Sequence, residues 1–426
     1  MSEQTVRTGE RSGEVRIPSS KSVVHRLLIC AALGEKPVRI RLRGLSDDIL
    51  ATADCLRALG AEIQTEEGAL LVSPVPQASA AEGDTDSPGS HEIPELPCRE
   101  SGSTLRFLLP VAGALGREVL LKMEGRLPQR PLAPFDRVLA GGGMEIRREG
   151  DRLHCSGALR SGNYDLPGNV SSQFFSGLLM ALPRLEGESR LRCQGELESA
   201  DYLGITESVL QEAGIVFRKP EQGTWLIPGR QNCALPETVQ AEGDWSSVAF
   251  FLSMGALSEK GILVRGLRRD SGQGDRRILD CLRDFGASVE LREDGILARS
   301  VERRPFRLDA GPVPDLVPVL AVLACAARGD TVISNASRLR LKESDRLRTT
   351  AALIRSLGGK VTETEDGLIV HGTGRLAGGG AEACGDHRIA MSAAVAAVIA
   401  EAPVTVHGAQ CVSKSYPGFW EDLEAL

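Results

Sequence analysis

Hydrophobic and polar positions along the chain repeat in units of roughly 70 residues. Each unit contains one segment that is apolar on nearly every side, for example VPVLAVLACAA at 317–327 and IAMSAAVAAVIA at 389–400. A helix with this composition is buried on all faces rather than packed on one side of a sheet. We predict six buried helices, which begin near Lys21, Ser103, Ser171, Asp244, Asp315 and Asp386.

A second pattern separates these helices. An apolar helix end is followed by a glycine and then by two short strand-like runs around a polar turn, as in CLRDFGASVELREDGILA. Glycine suits the left-handed C-cap of a helix, and Asp-Gly or Glu-Gly suits a hairpin turn. The six units divide into three plus three, which predicts two similar α/β domains. The glycines are Gly60, Gly143, Gly214, Gly286 and Gly358.

The two ends of the chain are expected to meet in one domain. The sixth unit stops at FWEDLEAL, whereas the first residues, TVRTGERSGEVRIP, contain extended segments without a preceding helix. We therefore predict one domain from residues 1–19 and 244–426 and another from residues 20–243, with a cleft between them. Residues 74–97 are acidic, small and proline-rich, which predicts a mobile surface insertion.

Composition narrows the class of protein. The apolar fraction of 42% and charged fraction of 25% are typical of a soluble globular chain. A net charge of -7 and an aromatic fraction of 4% argue against nucleic-acid binding. The ten cysteines show neither Cys-x-x-Cys pairs nor zinc spacing, so we expect reduced core cysteines and no metal site. Without a signal segment or a membrane-length apolar run, the expected location is the cytoplasm, away from membranes.

Polar residues collect where the buried helices begin, and further ones follow in the connecting strands and loops. Free N–H groups and the helix dipole favour anions at such positions. Single members have simpler interpretations, because Asp315 can be a helix N-cap and Glu343 can form an i, i+3 pair with Arg346. Together they predict one shared site for anionic ligands. The residues are Lys21, Ser22, Arg26, Glu100, Ser101, Gly102, Ser103, Arg106, Arg130, Ser171, Ser172, Gln173, Tyr202, Asp315, Arg338, Lys342, Glu343, Arg346, Asp386, His387, Arg388 and Lys414.

Seven motifs carry a family resemblance. In order, they are PSSKSVVHR, ESGSTLRF, RLPQRP, VSSQF, LKESDRL, GDHRIAM and CVSKSYPGFW, and they cover nearly the whole chain. The chain thereby resembles the 3-phosphoshikimate 1-carboxyvinyltransferases, or EPSP synthases. The resemblance implies a fold of two inside-out α/β domains, each built from three βαβαββ repeats with buried helices, and an interdomain cleft.

The implied reaction transfers the enolpyruvyl group of phosphoenolpyruvate to the 5-hydroxyl of shikimate 3-phosphate and releases phosphate, in the synthesis of chorismate and aromatic amino acids. For this chain we therefore expect a monomeric enzyme that uses no cofactor. The alternative is UDP-N-acetylglucosamine 1-carboxyvinyltransferase of the same fold, whose reactive cysteine is missing from the matching segment, MEGRLPQRPLAPF. A non-catalytic phosphometabolite sensor is disfavoured, because anion binding alone gains nothing from Asp315 and Glu343.

The resemblance also assigns residues. Asp315 is the expected base, Glu343 the proton donor to carbon, and Lys21 the stabiliser or acid for departing phosphate, while His387 would hydrogen-bond to Glu343. Residues expected to bind shikimate 3-phosphate are Lys21, Ser22, Arg26, Ser171, Ser172, Gln173, Ser199, Tyr202, Asp315 and Lys342. Those expected to bind phosphoenolpyruvate are Lys21, Gly102, Arg130, Gln173, Arg346, Arg388 and Lys414.

Three departures from the family pattern are present. Many family members have asparagine where Glu100 and Arg338 stand and proline where Phe107 stands. Glu100 and Arg338 could pair with each other or alter substrate contacts, so we assign them no catalytic role. The resemblance further implies that Gly102 borders the space that the inhibitor glyphosate fills, and Phe107 lies on the same predicted helix.

Overall fold

The computed structural model describes residues 2–76, 92–197 and 200–426. These residues form twelve α-helices, which are α1 (Lys21–Ala32), α2 (Asp47–Ala58), α3 (Gly102–Ala114), α4 (Phe135–Gly141), α5 (Ser172–Ala181), α6 (Ala200–Glu212), α7 (Trp245–Ala256), α8 (Ile278–Phe285), α9 (Val317–Ala324), α10 (Arg346–Ser356), α11 (His387–Ala396) and α12 (Phe419–Glu424). None of the helices in these ranges is long and apolar enough to cross a membrane.

The strands of the described residues are short. They are β1 (Glu3–Val6), β2 (Gly13–Arg16), β3 (Val38–Arg41), β4 (Glu62–Glu66), β5 (Ala69–Ser73), β6 (Glu95–Arg99), β7 (Val119–Met123), β8 (Glu145–Glu149), β9 (Arg152–Ser156), β10 (Asn163–Pro167), β11 (Ser189–Gln194), β12 (Thr224–Ile227), β13 (Thr238–Gln240), β14 (Ile262–Arg265), β15 (Ser288–Arg292), β16 (Gly295–Arg299), β17 (Arg307–Asp309), β18 (Arg328–Ser334), β19 (Lys360–Glu363), β20 (Leu368–Thr373), β21 (Gly379–Glu382) and β22 (Val404–His407).

The six predicted helices are confirmed as α1, α3, α5, α7, α9 and α11, and each begins within two residues of its predicted start. Their burial follows from their sequences, since every residue of α9 and of α11 is buried. A short 3₁₀ turn at Pro314–Leu316 precedes α9, so the regular helix begins after Asp315. The apolar surface of these helices explains why they form the core.

The chain divides into two compact units. The first unit consists of Met1–Lys21, Arg43–Asp47 and Glu242–Leu426, and the second of Ser22–Leu42 and Asp48–Ala241. The inclusion of Arg43–Asp47 in the first unit has no signal in the sequence. The domain limits near residues 19 and 244 therefore remain a prediction.

The first unit contains three sheets, with strand orders β15-β16-β14-β2, β17-β18-β20-β19 and β1-β22-β21. Both N-terminal strands pair with strands from the C-terminal half, because β2 runs parallel to β14 and β1 antiparallel to β22. The helices α7, α9 and α11 pack on one another within this unit. Buried helices with sheets around them match the inside-out arrangement that the sequence predicts.

The second unit repeats this plan with strand orders β13-β3-β5-β4, β6-β7-β9-β8 and β10-β11-β12. Its helix α3 packs against α5, and α5 against α6. Strand β6 begins inside the predicted insertion at 74–97, because Leu96 and Cys98 alternate inward and are fully buried. Residues 77–91 of that insertion lie outside the described residues.

The glycine-and-hairpin pattern is confirmed in most repeats. Gly286, for example, is the left-handed C-cap of α8, with φ of 100°. The repeat after Gly214 differs, because its predicted hairpin is reduced to a single bridge between Arg218 and Leu226. Pro220 explains the shorter pairing, since proline has no N–H group to donate to a neighbouring strand.

Candidate active site

The first unit gathers three carboxylates around one guanidinium. Nε of Arg346 donates to Oδ2 of Asp386 at 2.8 Å, Nη1 donates to Oδ1 of Asp315 at 2.7 Å, and Nη2 donates to Oε2 of Glu343 at 2.6 Å. The Arg346 side chain is only 1% exposed. We call Asp315, Glu343, Arg346, Asp386 and Arg388 the Arg346 cluster. Such charge-assisted hydrogen bonds fix the orientation of the guanidinium.

Helix starts supply most of this cluster. Arg346 is the first residue of α10, whose N-cap Asp345 accepts a hydrogen bond from the backbone N–H of Arg348 at 3.2 Å. Asp386 is the N-cap of α11 and accepts from the backbone N–H of Arg388 at 3.0 Å. The local sequence that begins each helix therefore also places a charged side chain in the cluster.

Asp315 is held by three cations. Nη2 of Arg388 lies 2.9 Å from its Oδ2, and Nζ of Lys342 lies 3.5 Å from its Oδ1, in addition to the Arg346 contact. Burial alone would raise the pKa of Asp315, but the charges of Arg388, Lys342 and Arg346 outweigh it and hold that pKa well below its usual range. The N-cap alternative for Asp315 is not seen, because the N-cap of α9 is Leu316.

Arg346 and Asp386 keep their charges through mutual pairing, and Lys342 lies beside the cluster. Burial acts to lower the pKa of Arg346, yet Asp386, Glu343 and Asp315 raise it well above its ordinary value. Burial acts to raise the pKa of Asp386, yet the charge of Arg346 lowers it overall. For Lys342, burial lowers the pKa despite the opposing attraction of Asp315. Because the ammonium and carboxylate stand 3.5 Å apart, we treat them as an ion pair.

The structure shows the predicted contact of Glu343 with Arg346 but not the predicted hydrogen bond of His387. The simple i, i+3 pair between Glu343 and Arg346 is present. The expected hydrogen bond from His387 to Glu343 is wrong, because neither ring nitrogen of His387 has a hydrogen-bond partner among the described residues. Burial, with the charge of Arg388, lowers the pKa of His387 to about 3, so the ring is neutral at physiological pH.

Lys21 and Lys414 also belong to the first unit or its edge. The backbone N–H of Lys21 donates to Oδ2 of Asp244 at 3.1 Å, and Asp244 also caps α7. Nζ of Lys414 donates to the carbonyl of Gly385 at 2.7 Å, directly before Asp386. Lys414 therefore lies beside the N-terminus of α11 and near the Arg346 cluster.

In the second unit, Arg26 ties three helices together. Its Nε donates to Oγ1 of Thr206 at 2.6 Å, and its Nη2 donates to Oγ of Ser176 at 3.1 Å and to the carbonyl of Tyr202 at 3.0 Å. Nη1 donates to the carbonyl of Ser22 at 2.6 Å. Burial lowers the pKa of Arg26 to about 9. The structure thus brings together three residues expected at the shikimate 3-phosphate site, namely Ser22, Arg26 and Tyr202.

The start of α3 forms a second group in this unit. A β-carbon placed on Gly102 would lie 2.7 Å from Nη1 of Arg130 and 2.8 Å from Nη1 of Arg106. Nη1 of Arg106 donates to Oε1 of Gln173 at 2.6 Å, and Nε2 of Gln173 donates to Oγ of Ser103 at 2.9 Å. Two arginines and the amide of Gln173 therefore meet at a helix N-terminus where only glycine leaves them room.

The serines of α5 lie close to this group. Ser171 is the N-cap of α5 and accepts from the backbone N–H of Gln173 at 3.3 Å, while Ser172 is the first helical residue and is buried. Ser199 lies outside the described residues. Phe107 is buried, and its ring centroid lies 4.8 Å from Cζ of Arg26. Its place is therefore in the core, against Arg26.

The sequence analysis placed Asp386 and Arg106 in the shared anion site but gave neither an individual role, and the structure shows both as positioning residues. Asp386 orients Arg346, and Arg106 orients Gln173. A signal for Asp386 was its place just before the apolar run of α11, which is typical of an N-cap. The signal for Arg106 was an arginine inside an otherwise apolar helix segment, which must be paired if buried. In the ranges that the structure covers, no group of three or more His, Cys, Asp or Glu residues could hold a metal ion.

Comparison with known proteins agrees with these observations. The family model described as EPSP synthase (3-phosphoshikimate 1-carboxyvinyltransferase) matches residues 6–423. The chain is 41% identical to the 3-phosphoshikimate 1-carboxyvinyltransferase of Clostridium kluyveri, over 97% of this chain and 95% of the relative. It is 39% identical to that of Clostridium acetobutylicum, with the same coverage of both chains.

A solved structure shows the same fold. The EPSP synthase structure from Acinetobacter baumannii superposes with a TM-score of 0.79 at 26% identity, covering 99% of this chain and 98% of the other. The family match extends over nearly the whole sequence, and its relatives share both length and fold. This chain therefore belongs to the EPSP synthase (3-phosphoshikimate 1-carboxyvinyltransferase) family.

Proposed function

We propose that this protein transfers the enolpyruvyl group of phosphoenolpyruvate to the 5-hydroxyl of shikimate 3-phosphate, giving 5-enolpyruvylshikimate 3-phosphate and phosphate. The observation that carries the proposal is the placement of Asp315 and Glu343 on opposite nitrogens of one buried guanidinium, that of Arg346. A simple anion-binding site has no use for two carboxylates at this position. A reaction that moves protons to and from anionic substrates requires such groups.

The cationic and polar side chains suit the anionic groups of both substrates. The proposed ligands for the carboxylate and phosphate of phosphoenolpyruvate are Lys21, Gly102, Arg130, Gln173, Arg346, Arg388 and Lys414. Arginine forks match both groups with two parallel hydrogen bonds. For shikimate 3-phosphate, the proposed ligands are Lys21, Ser22, Arg26, Ser171, Ser172, Gln173, Ser199, Tyr202, Asp315 and Lys342.

Asp315 is the proposed base for the attacking hydroxyl. Its pKa is low because Arg388, Lys342 and Arg346 all face it. When anionic substrates bind, those cations divide their attraction between the substrates and Asp315. The carboxylate then becomes a stronger base at the moment when the hydroxyl arrives. The substrate thereby prepares the group that deprotonates it.

The reaction proceeds by addition and elimination. The 5-hydroxyl oxygen bonds to C2 of phosphoenolpyruvate as its proton passes to Asp315, and Glu343 gives a proton to C3, which becomes a methyl group. In the second step the C2–O bond to phosphate breaks, and the methyl group returns a proton to the Glu343 carboxylate, which restores the double bond. Lys21 stabilises the departing phosphate or protonates it. No cofactor takes part in this scheme, and we also propose a cytoplasmic, monomeric enzyme.

A phosphate-release assay tests the proposal. The purified protein should release phosphate from phosphoenolpyruvate only when shikimate 3-phosphate is added, and a metal chelator should not change the rate. The product should carry the enol ether at the 5-position, which NMR of the reaction mixture detects. Release with UDP-N-acetylglucosamine, but not with shikimate 3-phosphate, would contradict the proposal and favour the cell-wall enzyme of the same fold.

A further inference from the structure

Four buried side chains of the second unit form an unbroken line of hydrogen bonds. Nδ1 of His25 on α1 lies 2.7 Å from Oγ1 of Thr52 on α2. Oγ1 of Thr52 lies 2.7 Å from Oγ1 of Thr104 on α3. The Thr104 hydroxyl donates to Oγ of Ser101, the N-cap of α3, at 2.8 Å. We call these four residues the hydroxyl line. None of them is more than 1% exposed.

The hydroxyl line has only one possible direction. Thr104 uses its single hydroxyl hydrogen toward Ser101, so Thr52 must donate to Thr104. Thr52 then has no hydrogen left for the imidazole, so Nδ1 of His25 must be the donor in their bond. The geometry therefore fixes His25 with a proton on Nδ1. Every hydrogen in the line points toward the start of α3.

At the end of the line, Ser101 has a hydrogen to give. Its Oγ accepts two hydrogen bonds, from the backbone N–H of Thr104 at 3.3 Å and from the Thr104 hydroxyl at 2.8 Å. The hydrogen of the Ser101 hydroxyl is used in neither bond, and Ser101 Oγ donates no hydrogen bond among the described residues. A buried donor left without an acceptor is unfavourable unless a ligand supplies one.

The surroundings of Ser101 identify the chemistry of that ligand. The next residue is Gly102, where Nη1 atoms of Arg130 and Arg106 stand 2.7 and 2.8 Å from the position of a β-carbon. The first turn of α3 adds the positive end of a helix dipole. An anion oxygen at this place would receive the Ser101 hydrogen together with the charges of the arginines.

We propose that Ser101 is a further binding residue that donates a hydrogen bond to phosphoenolpyruvate, and that His25, Thr52 and Thr104 are positioning residues that keep its hydroxyl turned toward the ligand. This inference rests on the proposed binding of phosphoenolpyruvate beside Gly102. The added hydrogen-bond donor is the hydroxyl of Ser101, the N-cap of α3, and the buried residues Thr104, Thr52 and His25 set its orientation.

Substitution of Ser101 is the direct test. In S101A we expect the KM for phosphoenolpyruvate to rise about tenfold, as for a lost hydrogen bond to a charged group, with a KM for shikimate 3-phosphate within about twofold of the wild type. S101T should recover most of the loss, because it restores the hydroxyl. S253A removes a buried hydroxyl of α7 that has no hydrogen-bond partner in the described ranges, and it controls for general effects.

Substitutions within the line test its direction. In T52V, Thr104 loses its incoming hydrogen and can accept from Ser101, so the Ser101 hydroxyl can turn inward and compete with the ligand. We expect the KM for phosphoenolpyruvate to rise about threefold to tenfold. The double variant T52V/T104V removes that inward acceptor, so its KM should fall back toward the wild-type value. A merely structural role predicts the opposite, with the double variant worse than either single one.

The tautomer of His25 provides a readout independent of turnover. With ¹⁵N-labelled histidine, the His25 ring should show a protonated Nδ1 and a bare Nε2, and T52V should weaken this preference. A bare Nδ1 in the wild type overturns the inference, and so does an unchanged KM for phosphoenolpyruvate in S101A when the wild type is active. A wild-type protein that releases no phosphate overturns the proposed function itself and this inference with it.

Discussion

Arg346 and Asp386 form an ion pair that solvent barely reaches, with Nε and Oδ2 2.8 Å apart and side-chain exposures of 1% and 0%. The same carboxylate accepts from Oγ of Ser344 at 2.9 Å and caps α11. Asp386 therefore links the start of one helix to the orientation of an arginine on another. Neither partner can change alone without leaving the other charge buried.

The first prediction concerns this pair. D386N keeps a residue that can cap α11 but removes the negative charge, which leaves Arg346 with less compensation. Because removal of one partner from a buried pair is strongly unfavourable, we expect a loss of about 3 kcal/mol in unfolding free energy, measured by urea denaturation. The matched control is D330N, which alters an exposed aspartate paired with His371. Equal stability of D386N and D330N would contradict the prediction.

The second prediction concerns the two proposed proton carriers. D315N and E343Q should each reduce kcat by roughly a hundredfold or more, as expected for general acid and base groups. Circular dichroism must first show that both variants are folded. A folded variant with wild-type turnover would remove that residue from the mechanism.

The third prediction concerns Gly102 and glyphosate. We expect glyphosate to inhibit in competition with phosphoenolpyruvate, and G102A to weaken the inhibitor by about tenfold to a hundredfold, or about 1 to 3 kcal/mol. The added methyl group would also press on Nη1 of Arg130, so a smaller rise in KM for phosphoenolpyruvate should accompany it. The measurement is Ki against KM in both proteins. Equal losses for inhibitor and substrate would contradict the steric explanation, and a resistant parent enzyme would contradict the expected inhibition.

The fourth prediction follows from His387. Its pKa is about 3 in the folded protein, because of burial and the charge of Arg388, against about 6.5 for an unfolded histidine. The low pKa of His387 contributes to the unfolding free energy above pH 6.5, and this contribution is lost as the pH falls from 6.5 toward 3. Between pH 7.5 and pH 4.5, we expect H387Q to lose roughly 3 kcal/mol less unfolding free energy than the wild type. H371Q, at a more exposed histidine, should follow the wild type.

The fifth prediction concerns Asp275, whose contribution to the unfolding free energy is lost as the pH rises rather than as it falls. Asp275, in the 3₁₀ turn Gly274–Arg277, is buried and accepts a hydrogen bond from the Ser246 hydroxyl. Burial, with the charge of Asp315, raises its pKa to about 7. The stability from this protonated carboxyl is present below the unfolded pKa of about 3.8 and is lost as the pH rises through 7.

D275N removes that titration while keeping the shape of the side chain. Relative to the wild type, it should therefore gain roughly 3 kcal/mol of unfolding free energy when the pH is raised from 5 to 8. The control D284N changes an exposed aspartate on the next helix. Parallel pH profiles for D275N and the wild type would show that Asp275 does not titrate in this range.

Sequence reasoning succeeded where the controlling interactions are local. Asp244 and Asp386 each precede an apolar run and were located as helix starts, because capping joins residues only two or three positions apart. Sequence reasoning did not predict which side chains pair when they come from segments far apart along the chain. The resemblance proposed Arg346 and Asp315 as site residues, but the pairing of Arg346 with Asp386 depends on segments 40 positions apart.

Two further sets of contacts that the sequence did not predict have the same physical origin. Arg106 orients Gln173 from another helix, 67 positions away along the chain. The hydroxyl line from His25 to Ser101 joins three helices through side chains that look ordinary in a sequence. Threonines in apolar helices carry no local sign of a partner, so only the folded arrangement shows what they bind.

The pairing of β1 with β22 has a consequence for synthesis on the ribosome. Glu3 stands opposite His407, so β1 is translated about 400 residues before the strand with which it pairs. All of the second unit is translated in that interval, so it can fold while β1 still presents an open edge. A nascent chain that stalls before Val404 would keep this edge exposed to chaperones or to other chains. The sheet that contains β1 is therefore completed only after β22 has been translated.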